Sequence, residues 1–167
     1  MKLPGYCLLL GVVMLAGTGC GKKAISSLDR KKADNLASEA MFAVTVREYG
    51  RAEGLLVQAT GLCPDSAQYW LALGTTRMRL GQRDGARTAY KRALDAFEDD
   101  ADADRTQAEP ALQQVQVLAL LGRVDDARAL LAKLPKRYPG NRDIQGYIDS
   151  KALDRMLADS GFKRSAL

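Results

Sequence analysis

The feature that most constrains this chain is a set of residues at fixed offsets: Trp70, Leu73-Gly74, Leu80-Gly81, Ala86, Tyr90 and Ala93-Leu94. Trp70, Leu73 and the run from Ala86 to Ala93 recur at three or four residues, the period of one helix face. Gly74 and Ala86 are small where two helices must cross closely. Gly81 ends the first helix, because glycine alone adopts the left-handed cap cheaply. Tyr90 fills the space beside the next unit. The segment therefore predicts a pair of helices with a tight turn between them.

Counting back about 34 residues gives a weaker copy. Ala40 takes the small crossing position, Leu36 replaces the tryptophan, and Arg47 stands where glycine would be. Ala52, Leu56 and Ala59 follow the second-helix pattern, Pro64 closes the unit, and Asp65-Ser66 can cap the next helix. Counting forward gives a third copy after an insertion spanning Ala101 to Gln107, which reads as a solvated, flexible loop. Leu121-Gly122 ends its first helix, Ala127, Leu131 and Leu134 mark its second, and Pro139-Gly140 ends the unit. Ala111, Gln114 and Val115 fit the first-helix pattern poorly. Ile144, Ile148, Ala152 and Met156, spaced by four, predict one amphipathic capping helix ending near Gly161. Alanine, leucine and arginine dominate throughout, and all three favour helix.

These offsets resemble the signature of the tetratricopeptide repeat (TPR) family, over residues 33 to 141. The resemblance implies an all-α fold, a right-handed α-solenoid of about three helix pairs plus a C-terminal capping helix. No such unit can bury its apolar face alone, so the units stack into one core. The expected organisation is a leader over 1–19, a tether over 20–32 with helix starting near Leu28 to Asp34, the repeat domain with its cap over 33–158, and a tail over 159–167. In this family the first helices of successive pairs line a concave groove that takes a segment of a protein partner. Carried over by register, the groove residues are Ala37, Met41 and Val44 from the first repeat. The second supplies Gln68, Leu71, Thr75, Met78 and Arg79, and the third Leu112, Gln116 and Leu120. The row is largely apolar, and methionines suit adaptable surfaces. The competing expectation is that these side chains pack between neighbouring first helices, or that the tether or cap fills the groove.

The first residues, MKLPGYCLLLGVVMLAGTGC, place one lysine before an apolar run from Tyr6 to Ala16 and then small residues. That is the layout of a secretory signal peptide, since the run is too short to span a bilayer as a helix. Gly17-Thr18-Gly19-Cys20 resembles the lipobox of bacterial lipoproteins, with Gly17 where that family usually has leucine. The resemblance implies cleavage before Cys20, lipidation of Cys20, and a membrane anchor through its acyl chains. Gly21 is not the aspartate that resembles an inner-membrane retention signal. The expected location is the cell envelope, anchored in the outer membrane and facing the periplasm.

Charge and composition narrow the chemistry. Net charge is +5, yet residues 35 to 141 carry equal numbers of acidic and basic side chains. The excess sits mainly in the leader and tether, where it suits either anionic headgroups or a solvated, soluble tether, and does not form a nucleic-acid-binding face. Histidine is absent, which removes the commonest general base and metal ligand. There is no phosphate-cradling glycine loop and no Cys/His metal spacing. The acidic run Glu98, Asp99, Asp100, Asp102 and Asp104 lacks the glycine and terminal glutamate of a calcium loop. Cys63 has no partner thiol in the mature chain and reads as a small, partly buried apolar filler. The chain is expected to be no enzyme, to need no cofactor or metal and to take no small-molecule substrate. Two roles fit: a membrane-anchored adaptor in assembly of a pilus, secretion or outer-membrane complex, or a lipoprotein regulator of a cell-wall enzyme.

Overall fold

A computed structural model describes residues 24–167. The leader, Cys20 and the first residues of the tether lie outside the described residues. Among the described residues nine helices follow one another: α1 Ser27–Thr45, α2 Tyr49–Leu62, α3 Ala67–Arg79, α4 Arg83–Ala103, α5 Glu109–Leu120, α6 Val124–Arg137, α7 Arg142–Asp149, α8 Ala152–Ala158 and α9 Ser160–Lys163. Through α6 each helix packs chiefly against its neighbours in sequence. That is the contact pattern of a solenoid, in which each unit is completed by the next. No strand occurs among the described residues.

The periodicity is visible in the backbone of the turns. After α1, α3 and α5 the chain enters the left-handed region at Arg47 (φ 63°), Gly81 (φ 75°) and Gly122 (φ 74°). In each turn the next amide reaches back five residues: Glu48 to the Ala43 carbonyl (2.8 Å), Gln82 to Arg77 (2.9 Å) and Arg123 to Leu118 (2.9 Å). These are the closing bonds of the Schellman motif, which satisfy carbonyls that a helix end leaves free. The junctions between pairs repeat as well. Ser66, Gln107 and Asn141 each donate their amide to the carbonyl three residues earlier, at Cys63, Asp104 and Tyr138. Cys63 and Tyr138 occupy equivalent places, and both are buried. Burial raises the Cys63 thiol above its ordinary value, because a thiolate is poorly solvated there.

The core is made of alanines at crossings and large side chains between them. Ala40, Ala43, Ala52, Leu56, Leu73 and Ala89 join the first two pairs, and Ala86, Tyr90, Ala93 and Phe97 join the second to the third. Leu56 and Leu73 are each 1 % exposed, and burying one such side chain stabilises the fold by about 2 kcal/mol. Gly74 is there for contact: a Cβ on it would lie 2.4 Å from two ring carbons of Tyr90.

Three expectations need correction. The helix begins at Ser27, so residues 27–32 belong to α1 and not to the tether. Ser26 is its cap, its hydroxyl accepting the Asp29 amide at 3.0 Å, and a cap of this kind fixes a helix start. The acidic run is largely no loop: α4 continues to Ala103 and carries Glu98, Asp99, Asp100 and Asp102, with Asp104 as its cap. It is held there by Arg137, which donates to the Ala101 carbonyl (3.0 Å) and the Asp102 carboxylate (2.7 Å), and by Gln114, which donates to the Phe97 carbonyl (3.1 Å). Gln114 and Val115, poor matches to the pattern, are thereby explained as buried members of α5. Only Asp104–Ala108 turns, with Asp104 accepting from Thr106 and Gln107. Those bonds hold its carboxyl below the ordinary carboxylate range.

The third correction concerns the cap. The predicted single capping helix is broken at Lys151, which is left-handed (φ 52°). A stripe at spacing four drifts around a straight helix, because one turn is 3.6 residues. The break reorients α8, so that Leu153 enters the core beside Ile144 while Met156 and Leu157 pack on it. The chain then doubles into α9 and crosses toward the middle of the stack.

Candidate concave site

Asp34, Ala37, Ser38 and Met41 share one face of α1, at the offsets of a single helical side. Gln68, Tyr69, Leu71 and Ala72 face them from α3, and Leu56 of α2 forms the floor. Together they enclose an open cleft of about 400 Å³ whose walls are mostly apolar. The polar groups sit at its rim. The Tyr69 hydroxyl donates to the Asp34 carboxylate, tying α3 to α1. Burial first, and this bond second, push the Tyr69 hydroxyl up to about 12. Met41 remains 56 % exposed at the mouth. Trp70 does not enter the cleft wall; its indole N–H donates to the Pro64 carbonyl (2.9 Å), locking the junction before α3.

The eleven register-derived positions divide into groups. Ala37, Met41, Gln68 and Leu71 line the cleft together. Val44 does not; it packs against the core of the first two pairs. Leu112 likewise packs against the core of the third pair and cap, and Gln116 is half-buried on α5. Thr75 donates its hydroxyl to the Leu71 carbonyl at 3.1 Å.

The remaining three are Met78, Arg79 and Leu120: Met78 and Leu120 belong to a second crevice farther along, between α3 and α5, which is filled, while Arg79 is exposed. Phe162, Ala166 and Leu167 pack there on the buried cluster that includes Tyr90, Val117 and Leu120, on which Leu71 and Met78 also pack. The Tyr90 hydroxyl donates to the Ser165 carbonyl at 2.6 Å. The Leu167 amide donates to the Leu120 carbonyl at 2.9 Å. Burial raises the Tyr90 hydroxyl above its ordinary value, with Thr75 and the Arg79 guanidinium acting against that rise. Leu120 is only 2 % exposed, and the tail covers it.

Sequence reasoning missed Asp34, Ser38, Tyr69 and Ala72 in the cleft. Asp34 and Ser38 follow from Ala37 and Met41 by helical offset alone. It also missed the tail's place, though Phe162 and Ala166 stand four residues apart with Leu167 next, an apolar face after the expected end of the cap. Among the described residues there is no group of three or more His, Cys, Asp or Glu side chains able to hold a metal ion. No helix among them is long and apolar enough to cross a membrane.

Comparison with known proteins agrees with the geometry. The family profile described as "Tetratricopeptide repeat" matches residues 39–101 and 71–142. No curated protein sequence matches the chain. Among solved structures, the type III secretion translocator chaperone SycD of Yersinia enterocolitica superposes with a TM-score of 0.51 at 19 % identity, covering 83 % of this chain and 98 % of that one. The same chaperone in complex with a peptide of the translocator YopD gives 0.49 at 18 % identity, covering 80 % and 95 %. The repeat turns, the nearest-neighbour packing and the profile match over most of the helical region place this chain in the tetratricopeptide repeat family.

Proposed function

We propose that this chain is a membrane-anchored adaptor that binds protein partners on its concave face and serves in assembly of a pilus, secretion or outer-membrane complex of the bacterial envelope. The observation that carries the binding reading is the cleft between α1 and α3. It is open and apolar, has a floor already paired in the core, and is rimmed by Asp34, Ser38 and Gln68. A site of this shape suits a partner segment that inserts one or two apolar side chains and pairs its main chain at the rim. Nothing in it suggests bond-making chemistry: the rim carboxylate is engaged with Tyr69, and no second acid or base faces it across the cleft.

The anchoring reading rests on the leader and Cys20, with the family's acyl chains supplying membrane affinity at about 0.8 kcal/mol per buried methylene. Cys20→Ser tests it. The variant is expected to leave the membrane fraction and to lose incorporation of a fatty-acid label; continued labelling refutes the assignment. Met41→Asp tests the cleft. Met41 is exposed, so the substitution should leave the helical signal and unfolding midpoint unchanged while abolishing co-purification of the partner from solubilised envelopes. Undiminished recovery of the same partner removes the cleft from consideration.

A further inference from the structure

The crevice between α3 and α5 has the makings of a peptide site, and a peptide is in it. Of the last four carbonyls of α5, three are taken by the following turn: Val117 by the Leu121 amide, Leu118 by Arg123 and Ala119 by Gly122. Leu120 accepts instead from Leu167, a residue that arrives from the far end of the chain. The Tyr90 hydroxyl, on a side chain with no exposed surface, donates to the Ser165 carbonyl. One acceptor and one donor thus each engage a main-chain group of the occupant. Such bonds read the path of a backbone and not its side chains. Side-chain selection falls to the walls, which receive Phe162, Ala166 and Leu167, and to the tight fit at Ser165, which is 7 % exposed. Lys163 and Arg164 face solvent.

We propose that this crevice is a second peptide-docking site, held in the resting chain by its own residues 162–167. Its ligand is a partner segment of the same pattern: an aromatic residue, then a small residue at the third position after it, a second small one and an aliphatic one. The partner displaces the tail. The Tyr90 bond passes to a carbonyl of the partner, because so buried a hydroxyl requires an acceptor there. The tail consequently lowers the apparent affinity of the crevice by the fraction of time it stays seated. The inference rests on the concave face being a protein-binding surface, but its ligand and location differ from those of the α1–α3 cleft.

The probe is a fluorescent synthetic peptide with the sequence of residues 159–167, DSGFKRSAL, read by anisotropy. A chain truncated after Gly161 should bind it saturably, and the intact chain at least about tenfold more weakly, since its own tail competes. In the truncated chain Tyr90→Phe should weaken binding by about three- to tenfold through loss of one hydrogen bond. Met41→Asp should leave it unchanged. No saturable binding to a truncated chain that keeps its helical signal overturns the proposal. So does equal binding to both chains, or an undiminished affinity in Tyr90→Phe. Loss of binding in Met41→Asp places the peptide in the upstream cleft and overturns it too. A negative result in these arms leaves the α1–α3 cleft untouched, because its own test reads a different ligand. Should the truncated chain unfold, hydrogen exchange in the intact protein decides. Ala166 and Leu167 amides exchanging well before the Leu121 amide show a tail that opens independently. Exchange of all three at one rate makes the tail core, and the proposal fails.

Discussion

Gly74→Ala tests the closest contact in the stack. The new methyl carbon would stand 2.4 Å from Cδ1 and Cε1 of Tyr90 and 3.2 Å from Cγ. Carbon atoms rest about 3.5–4.0 Å apart, so the ring must retreat by more than an ångström. It has no room to do so. Tyr90 has no exposed surface, and its hydroxyl is held by the Ser165 carbonyl at 2.6 Å. Overpacking of this kind costs about 1–3 kcal/mol. Breaking the buried hydrogen bond adds about 1 kcal/mol. The alanine returns about 0.5–1 kcal/mol through better helix propensity. The net expectation is a loss of about 2 kcal/mol, or a melting point lower by roughly 4–8 °C for a domain of this size. Urea unfolding followed by circular dichroism at 222 nm measures it, and Tyr90→Leu in the same chain should recover part of the loss by vacating the space. The reasoning is refuted if Gly74→Ala unfolds at the parent midpoint, or if Tyr90→Leu makes the deficit larger.

Arg47 holds the left-handed position that glycine takes in the other two turns; Arg47→Gly should stabilise the chain by about 0.5 kcal/mol, the relief of backbone strain less the entropy of glycine, and a lower melting point contradicts this. The Tyr138 hydroxyl is buried without a hydrogen-bond partner, so Tyr138→Phe should be neutral or stabilising by up to about 1 kcal/mol; a loss beyond that in urea unfolding means the hydroxyl has a partner. Tyr69 is harder to ionise in the fold, where its hydroxyl lies at about 12 against an ordinary value of 10.0. Its contribution is therefore complete below about pH 10 and is lost as pH rises toward about 12. Urea midpoints across that range should fall more steeply for the parent than for Tyr69→Phe, and parallel profiles refute the shift.

The repeat architecture was legible because its determinants are local. Gly81 and Gly122 carry left-handed turns, Pro64 and Pro139 follow buried closing residues, and the alanines mark crossings. Even Arg47, against pattern, adopts the left-handed turn. Elements that depend on distant partners were not legible. The extension of α4 through its acidic run requires Arg137 and Gln114 from later helices. The break at Lys151 follows from where Leu153 must go, which no spacing along the chain announces. Of the groove row, Ala37, Met41, Gln68 and Leu71 were placed together by register. Val44 and Leu112 turned into the core because a helix face is wider than the strip its neighbours leave open. The filled crevice could not be read at all, because a tail contacting residues 75 positions away leaves no periodic trace.

The concave face as the docking surface is tested most directly by a photo-crosslinking residue placed at Met41 and, separately, at Val57, in living cells. Both positions are exposed, at 56 % and 45 %, but only Met41 lines the cleft. The account predicts a discrete protein adduct from position 41 and none from position 57. Adducts from 57 alone, or the same adduct in equal yield from both, would contradict it.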